Sequence, residues 1–324
     1  MNQSEHTKRT GKVTWKSTGT YRVKSPDSIE INCSISSTLR KVLVYPHADP
    51  SSRRPTVDKV EDIRMIDPVA INDEVEFIDN EDGTGMIVEV LPRKSKFSRL
   101  AAGPRPVEQV IVANVDQVIP VMAVAKPKLK WQLLDRYLAD AESVDLPSLI
   151  CFTKADLVDE DEFREEAALY EKIGYSIVLT SAVDGRGLDE LRELLSNKTS
   201  VFIGKSGVGK TSLLNAVQPG LGLRVNEVSD VTGKGKHTTS HLELFELNTG
   251  GCVIDTPGMR EFGLWEREGY DTAWLFREMR PFLGQCRFGA NCTHTHEPDC
   301  AIKDAVESGE ITERRYESYV RMVR

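Results

Sequence analysis

The octapeptide Gly204-Lys205-Ser206-Gly207-Val208-Gly209-Lys210-Thr211 constrains the fold of this chain more than any other feature. It matches G-x-x-x-x-G-K-[ST] in full, follows the apolar run Val201 to Ile203 and precedes the helical pattern Ser212 to Val217. That strand–loop–helix context is what the motif requires. Glycines let the loop's backbone N–H groups converge on phosphate oxygens, and the start of the following helix adds its dipole. Lys210 is placed to neutralise charge on the outer phosphates. Thr211 is placed to offer its hydroxyl to Mg²⁺, with Ser212 beside it in the first turn.

The surrounding texture agrees. From Gln109 onward, apolar segments (Val110 to Ala113, Gln117 to Val124, Ser148 to Phe152, Ser176 to Leu179, Val201 to Ile203, Val253 to Ile254) alternate with amphipathic ones such as Trp131 to Ala141 and Asp161 to Ile173. Such alternation predicts a parallel sheet covered by helices. Upstream, short β segments run from Gly11 to about Pro106: Gly11 to Trp15, Thr20 to Val23, Ile29 to Ile35, Glu74 to Ile78 and Thr84 to Val90. Five strands in about a hundred residues suggest a small barrel of the oligonucleotide-binding (OB) type. The expected organisation is a basic tail (1–10), an OB-type β-barrel (11–106), an α/β P-loop domain (107–265) and an α-helical C-terminal domain (266–324). A length of 324 residues suits this multidomain plan.

Base selection is read upstream of the phosphate loop. Thr153-Lys154-Ala155-Asp156 resembles the Asn-Lys-x-Asp guanine motif, with Asp156 accepting from the guanine ring N–H and amino group. Adenine cannot satisfy that arrangement. Thr180-Ser181-Ala182 follows the next strand and resembles the loop whose backbone N–H contacts the guanine oxygen. Thr153 departs from the usual Asn, whose side chain ties this loop to the phosphate loop, so weaker base affinity is expected. Asn197-Lys198-Thr199-Ser200 is a decoy with no acid in fourth place. Downstream, Val253-Ile254-Asp255-Thr256-Pro257-Gly258 gives Asp255 as a metal-holding acid and the Gly258 N–H as a γ-phosphate sensor. Between them, Gly235-Lys236-His237-Thr238-Thr239-Ser240 suits a switch loop ordered by triphosphate and metal. Thr238 or Thr239 can supply the coordinating hydroxyl, and Thr239 is preferred.

The motif order is base loops, phosphate loop, switch threonines, then Asp-x-Pro-Gly. That is a circular permutation of the usual GTPase, with the old ends joined near Leu188 to Ser200. The chain leaving Gly258 runs straight into the C-terminal region, where Cys286-x5-Cys292-x-His294-x5-Cys300 supplies three thiols and one imidazole within fifteen residues. Soft sulfur with borderline nitrogen favours a closed tetrahedral zinc site. His296 rivals His294 for the imidazole position. Cys33, Cys151 and Cys252 sit in apolar strands and read as packing residues.

Taken together, these motifs resemble the circularly permuted GTPases of the ribosome small subunit-dependent GTPase A family (RsgA, also YjeQ/YloQ). The resemblance covers nearly the whole chain, Arg260-Glu261-Phe262-Gly263-Leu264 included. It implies an assembly factor that binds the maturing small ribosomal subunit and its rRNA and leaves on hydrolysing GTP to GDP. It also implies magnesium with the nucleotide, held by Thr211, Thr239 and Asp255, and one structural zinc with His294 rather than His296 as ligand. Many GTPases orient water with a glutamine after the Asp-x-x-Gly turn, but here Met259 follows Gly258, and a thioether cannot do this. Hydrolysis then needs a partner, which the resemblance makes the subunit. His237, with Lys210 and Thr239 as the other catalytic candidates, is the nearby side chain able to orient water; the plain alternative is a surface histidine that contacts RNA.

Charge distribution sharpens the partner. Residues 1–60 hold 11 Lys+Arg against 5 Asp+Glu in a chain of net charge −8, so the front end is basic and the rest acidic. Arg93, Lys94, Lys96, Arg99 and Arg105 form a basic run without an acid that could grip phosphates. The last helix carries Arg314, Arg315, Arg321 and Arg324, either an RNA contact or a solvated face. No apolar run is long enough to span a membrane and no signal peptide is evident, so a cytoplasmic monomer is expected. Two other readings compete: a nucleotide-independent RNA-binding adaptor with the GTPase fold as scaffold, and an ATPase.

Overall fold

The computed structural model describes residues 8–17, 19–40, 42–44, 59–61, 67–100, 108–221, 223, 242–255 and 271–323. Two compact units emerge: the first holds the described residues up to Val115 together with Leu242–Glu246, and the second holds the rest.

In the first unit, β1 (Lys8–Ser17) pairs antiparallel with β2 (Thr20–Lys24), and β2 pairs antiparallel with β3 (Glu30–Ile35). Two short strands follow, β4 (Val42–Val44) and β5 (Lys59–Glu61), paired with each other. β6 (Glu74–Asp79) pairs with β1 and with β7 (Thr84–Val90), while β7 lies parallel to β3, so β1-β2-β3-β7-β6 close into a ring. This is the five-stranded barrel expected from sequence. Alternation makes it: Val75 and Phe77 of β6 and Ile31 and Cys33 of β3 are buried while their neighbours turn outward. Closure needs small residues where strands crowd. A Cβ on Gly11 would lie 2.5 Å from Val23 Cγ1, and one on Gly85 2.8 Å from the Ile78 carbonyl.

Several basic residues of the described barrel are engaged. Lys8 meets Glu76, Arg9 meets Asp27 and Asp79, and Lys24 meets Glu246, all at 2.7–2.8 Å. Arg93, read from sequence as a phosphate grip, is turned inward: its guanidinium forks onto the fully buried Asp73 at 2.7 Å and donates to the Pro68 carbonyl. β8 (Lys96–Leu100) and β9 (Glu108–Ala113) pair antiparallel, and Asn72 Nδ2 donates to the carbonyls of Ala113 and Asn114. β9, grouped by sequence texture with the α/β half, therefore lies in the first unit. β14 (Leu242–Glu246) adds to β1 through Trp15 and Lys16.

The second unit is built on β10 (Gln117–Ala123), β11 (Leu149–Thr153), β12 (Ser176–Leu179), β13 (Thr199–Ile203) and β15 (Cys252–Asp255). All pairings are parallel, in the order β12-β11-β10-β13-β15. Every residue of β10 and β11 is buried, which is why these strands read as continuous apolar runs. Helices α1 (Trp131–Glu142), α2 (Glu160–Lys172), α3 (Leu188–Leu195) and α4 (Lys210–Val217) follow β10, β11, β12 and β13. Asp159 caps α2 by accepting from the N–H groups of Asp161 and Glu162. Strand order reverses between β10 and β13, the position where parallel sheets open a ligand crevice at their C-terminal edge.

The C-terminal segment contains short 3-10 turns, α5 (Ala301–Glu307) and α6 (Glu313–Val323). Phe276, Met279, Ile302, Ile311 and Tyr319 form its core together with Ala139 of α1. A buried carboxylate holds it there. Asp135 of α1, fully buried, accepts from Arg315 Nη1 (2.6 Å), Ser318 Oγ (2.5 Å) and Tyr170 Oη of α2 (2.7 Å). Arg315, 1% exposed, also binds Glu278. Arg277 and Arg280 both reach Glu142 at the end of α1. Arg315 is therefore a docking residue and not the RNA contact or solvated cation that the sequence offered. Arg314 lies over the Trp131 ring at 4.4 Å.

Candidate nucleotide site and metal centre

The phosphate loop joins β13 to α4. Gly207 (φ 82°) and Gly209 (φ 95°) take left-handed conformations that side chains avoid, turning successive N–H groups inward. Gly204 is needed for a different reason: a Cβ there would lie 2.5 Å from the Val121 carbonyl of the neighbouring strand. Lys205 and Ser206 are exposed, Val208 is buried, and Thr211 and Ser212 are half-buried in the first turn of α4. Lys210 is 8% exposed, and its ammonium donates to the Gly204 carbonyl at 2.6 Å. Burial lowers its pKa, with the charge of Asp255 opposing the shift. Asp255 ends β15, and since Phe202 pairs with Asp255 in the β13–β15 register, the acid stands beside the strand that launches the loop.

The two base loops sit at the ends of β11 and β12. Thr153 donates its hydroxyl to the Val208 carbonyl, a residue of the phosphate loop. The tie that an Asn amide makes elsewhere is thus made here by a hydroxyl. Lys154, left-handed at φ 63°, stretches its side chain across the site, donating from Nζ to the Gly207 carbonyl at 3.0 Å and to the Lys126 carbonyl. Burial lowers its pKa; Asp156 acts the other way. Ser181, fully buried, donates from Oγ to Asp156 Oδ1 at 2.7 Å and accepts from the N–H groups of Val183 and Asp184. One hydroxyl therefore fixes the acid and shapes the second loop, leaving Ala182 exposed at its tip. Sequence reasoning missed Arg186. Its guanidinium touches the Ala155 carbonyl, Glu160 and Asp184 and so staples the two loops. No motif marks it.

Thr153, Lys154, Asp156, Ser181, the loop Gly204 to Thr211 and Asp255 thus come together at one edge of one sheet. A fixed carboxylate, a glycine-rich loop of backbone N–H groups and a buried lysine converge there. His237, Thr238, Thr239, Gly258 and Met259 lie outside the described residues.

The ligand atoms of Cys286, Cys292, His294 and Cys300 lie within 4.8 Å of one another, and all four residues are buried. His294 Nδ1 stands 3.4 Å from the Sγ atoms of Cys286 and Cys300, which are 3.7 Å apart. A tetrahedral zinc ion with bonds of ~2.3 Å to sulfur and ~2.0 Å to nitrogen implies edges of about 3.8 and 3.5 Å. The donor set fits. His294 Nε2 meets Asp271 at 3.1 Å, which orients the ring and raises the imidazole pKa to about 9. His296 is 82% exposed and points away, toward Thr295. Burial pushes the Cys292 thiol up to about 12, and a bound cation would reverse that preference.

A profile of the RsgA GTPase family matches residues 90–265. The chain is 36% identical over 312 residues to the small ribosomal subunit biogenesis GTPase RsgA of Phocaeicola vulgatus, covering 95% of this chain and 94% of that one. It is 45% identical over 239 residues to the protein of the same name from Gemmatimonas aurantiaca, covering 74% and 78%. Among solved structures, YjeQ from Thermotoga maritima superposes with a TM-score of 0.69 at 33% identity over 98% of both chains. YloQ, described as a circularly permuted GTPase, gives 0.66 at 28% identity over 100% of this chain and 96% of its own. With base loops preceding the phosphate loop on one sheet, this chain belongs to the RsgA family of circularly permuted GTPases.

Proposed function

We propose that this protein binds the small ribosomal subunit through its rRNA late in subunit maturation, hydrolyses GTP to GDP and phosphate there, and leaves as a result. The observation that carries the reading is the knitting of three loops into one guanine nucleotide site. Ser181 holds Asp156, Thr153 holds Val208, and Lys154 spans Gly207 and Lys126. Asp156 accepts from the guanine edge, the loop N–H groups and Lys210 bind the phosphates, and Thr211, Thr239 and Asp255 would hold magnesium. The metal would supply charge neutralisation on the transferring phosphate. With Met259 where a glutamine would serve, chemistry waits for the subunit, and His237 orients the attacking water. Cys286, Cys292, His294 and Cys300 hold one zinc ion, which stabilises a segment whose core is small.

The reading includes a division of labour among an RNA-gripping barrel, the GTPase built on the parallel sheet that begins with β10, and the C-terminal zinc segment, acting as a monomer in the cytoplasm. Among the described residues no helix is long and apolar enough to cross a membrane. Phosphate release measured alone, with small subunits and with large subunits tests it. Stimulation by small subunits only is expected. Equal rates in all three would overturn it in favour of a nucleotide-independent adaptor. His237→Ala should keep GTP affinity and lose the stimulated rate; normal stimulation in that variant removes the histidine from the mechanism.

A further inference from the structure

Of the described barrel cations, Lys8, Arg9 and Lys24 each reach a carboxylate, as does the inward-turned Arg93, while Lys12 and Lys94 reach none. The turn between β10 and α1 concentrates such cations. Lys126, Lys128 and Lys130 are exposed, and no side-chain hydrogen bond or ion pair engages any of them. No acid occurs between Asp116 and Asp135, and Asp135 is buried against Arg315. Among the described residues the turn therefore presents three positive charges in five residues, none of them in an ion pair.

The same turn touches the nucleotide site. Lys154, the lysine of the base motif, divides its ammonium between the Gly207 carbonyl in the phosphate loop and the Lys126 carbonyl in this turn. A ligand that displaces the turn acts on a bond that the nucleotide site also uses.

We propose that the turn Lys126 to Lys130 is a docking edge for the phosphate backbone of RNA, through which a bound small subunit bears on the base loop and the phosphate loop. The inference rests on the subunit-binding reading above and adds the surface and the chemistry of contact. Composition selects RNA over an acidic protein. Lysine is depleted in protein–protein interfaces, whose anchors are aromatic residues and arginine, and the exposed residues of the turn are lysines and Pro127 alone. Lysine is a compact point charge that binds backbone phosphates without demanding a fixed approach. Because the turn shares Lys154 with the phosphate loop, RNA contact changes nucleotide affinity and nucleotide changes RNA affinity by the same factor.

The test uses the full chain carrying Lys128→Ala and Lys130→Ala, which leaves Lys126 and its carbonyl in place. Both side chains are exposed and unpartnered, so GDP affinity and turnover without subunits should stay within about two-fold of the parent. Affinity for small subunits and for their deproteinised RNA should fall. The slope of log K against log salt should become shallower by about 1.4–1.8, two phosphates at ~0.7–0.9 each. Lys128→Arg with Lys130→Arg should restore the slope. An unchanged slope on both substrates overturns the proposal. A loss with intact subunits but not with the RNA also overturns it, by assigning the turn to an acidic protein. If the parent itself neither binds nor responds to small subunits, the underlying reading fails and takes the inference with it. A responsive parent with an equally responsive variant sinks only the inference.

Discussion

Ser181→Ala isolates the second base loop from the rest of the nucleotide site. The hydroxyl is fully buried, donates to Asp156 at 2.7 Å, and accepts from two backbone N–H groups at 3.2 and 3.3 Å. Its removal deletes one bond to a charged group, worth ~1.5–3 kcal/mol, and leaves two N–H groups to find water. If Asp156 then loses its fixed orientation toward the base, that energy appears in binding as a drop of about 10- to 150-fold in affinity. The loss should be equal for GDP and GTP, since both present the same base, and ADP should remain a non-competitor. At saturating GTP, subunit-stimulated kcat should be unchanged because no group near the γ-phosphate has moved. Fluorescence titration gives the affinities and phosphate release the rate. A GDP affinity within about three-fold of the parent, or a fall in kcat at saturation, refutes the assignment of Ser181 to base positioning.

Three more outcomes can be checked independently. Asp156→Asn exchanges a double acceptor for a group that also donates, so GTP affinity should collapse while xanthosine triphosphate gains; equal loss for both would reject the base pairing. Cys292→Ser should abolish stoichiometric zinc measured by atomic emission, whereas His296→Ala should retain one ion per chain; zinc loss in the latter would displace His294 as the ligand. Arg315→Met leaves Asp135 and Glu278 without their cation and should cost about 3–5 kcal/mol in urea unfolding. An unchanged midpoint would mean that the buried pair contributes nothing.

Function was legible where chemistry is local in sequence. The phosphate loop, the base loops and the cysteine spacing each lie within some fifteen residues, and the strand-to-helix alternation that carries them follows from burial on both sheet faces. Misreadings arose where a residue's partner is far along the chain. Arg93 looked like a phosphate grip because Asp73 is twenty residues away, in a barrel not yet assembled in the reading. Arg315 looked solvated because Asp135 lies 180 positions upstream. Thr153 was judged as a missing amide, when what the site uses is a donor of suitable reach, and the distance from β11 to Val208 is set by strand packing that sequence does not display. The lysines at 126 to 130 carried no motif, and their lack of carboxylate partners became visible only against the pairing of Lys8, Arg9 and Lys24.

Asp135 also bears on the order in which the molecule can be completed. As a ribosome synthesises this chain, α1 and α2 emerge first and can bring Tyr170 to the carboxylate, but Arg315 and Ser318 are translated 180 and 183 residues after Asp135. Until then this carboxyl group faces a would-be interior with one donor out of three, and the helix that carries it has reason to stay near water. Synthesis thus ends with the step that lets α1 settle. Clipping the chain ahead of Arg315 should leave a nascent-like GTPase half that is open to proteases although every nucleotide-contacting motif is intact.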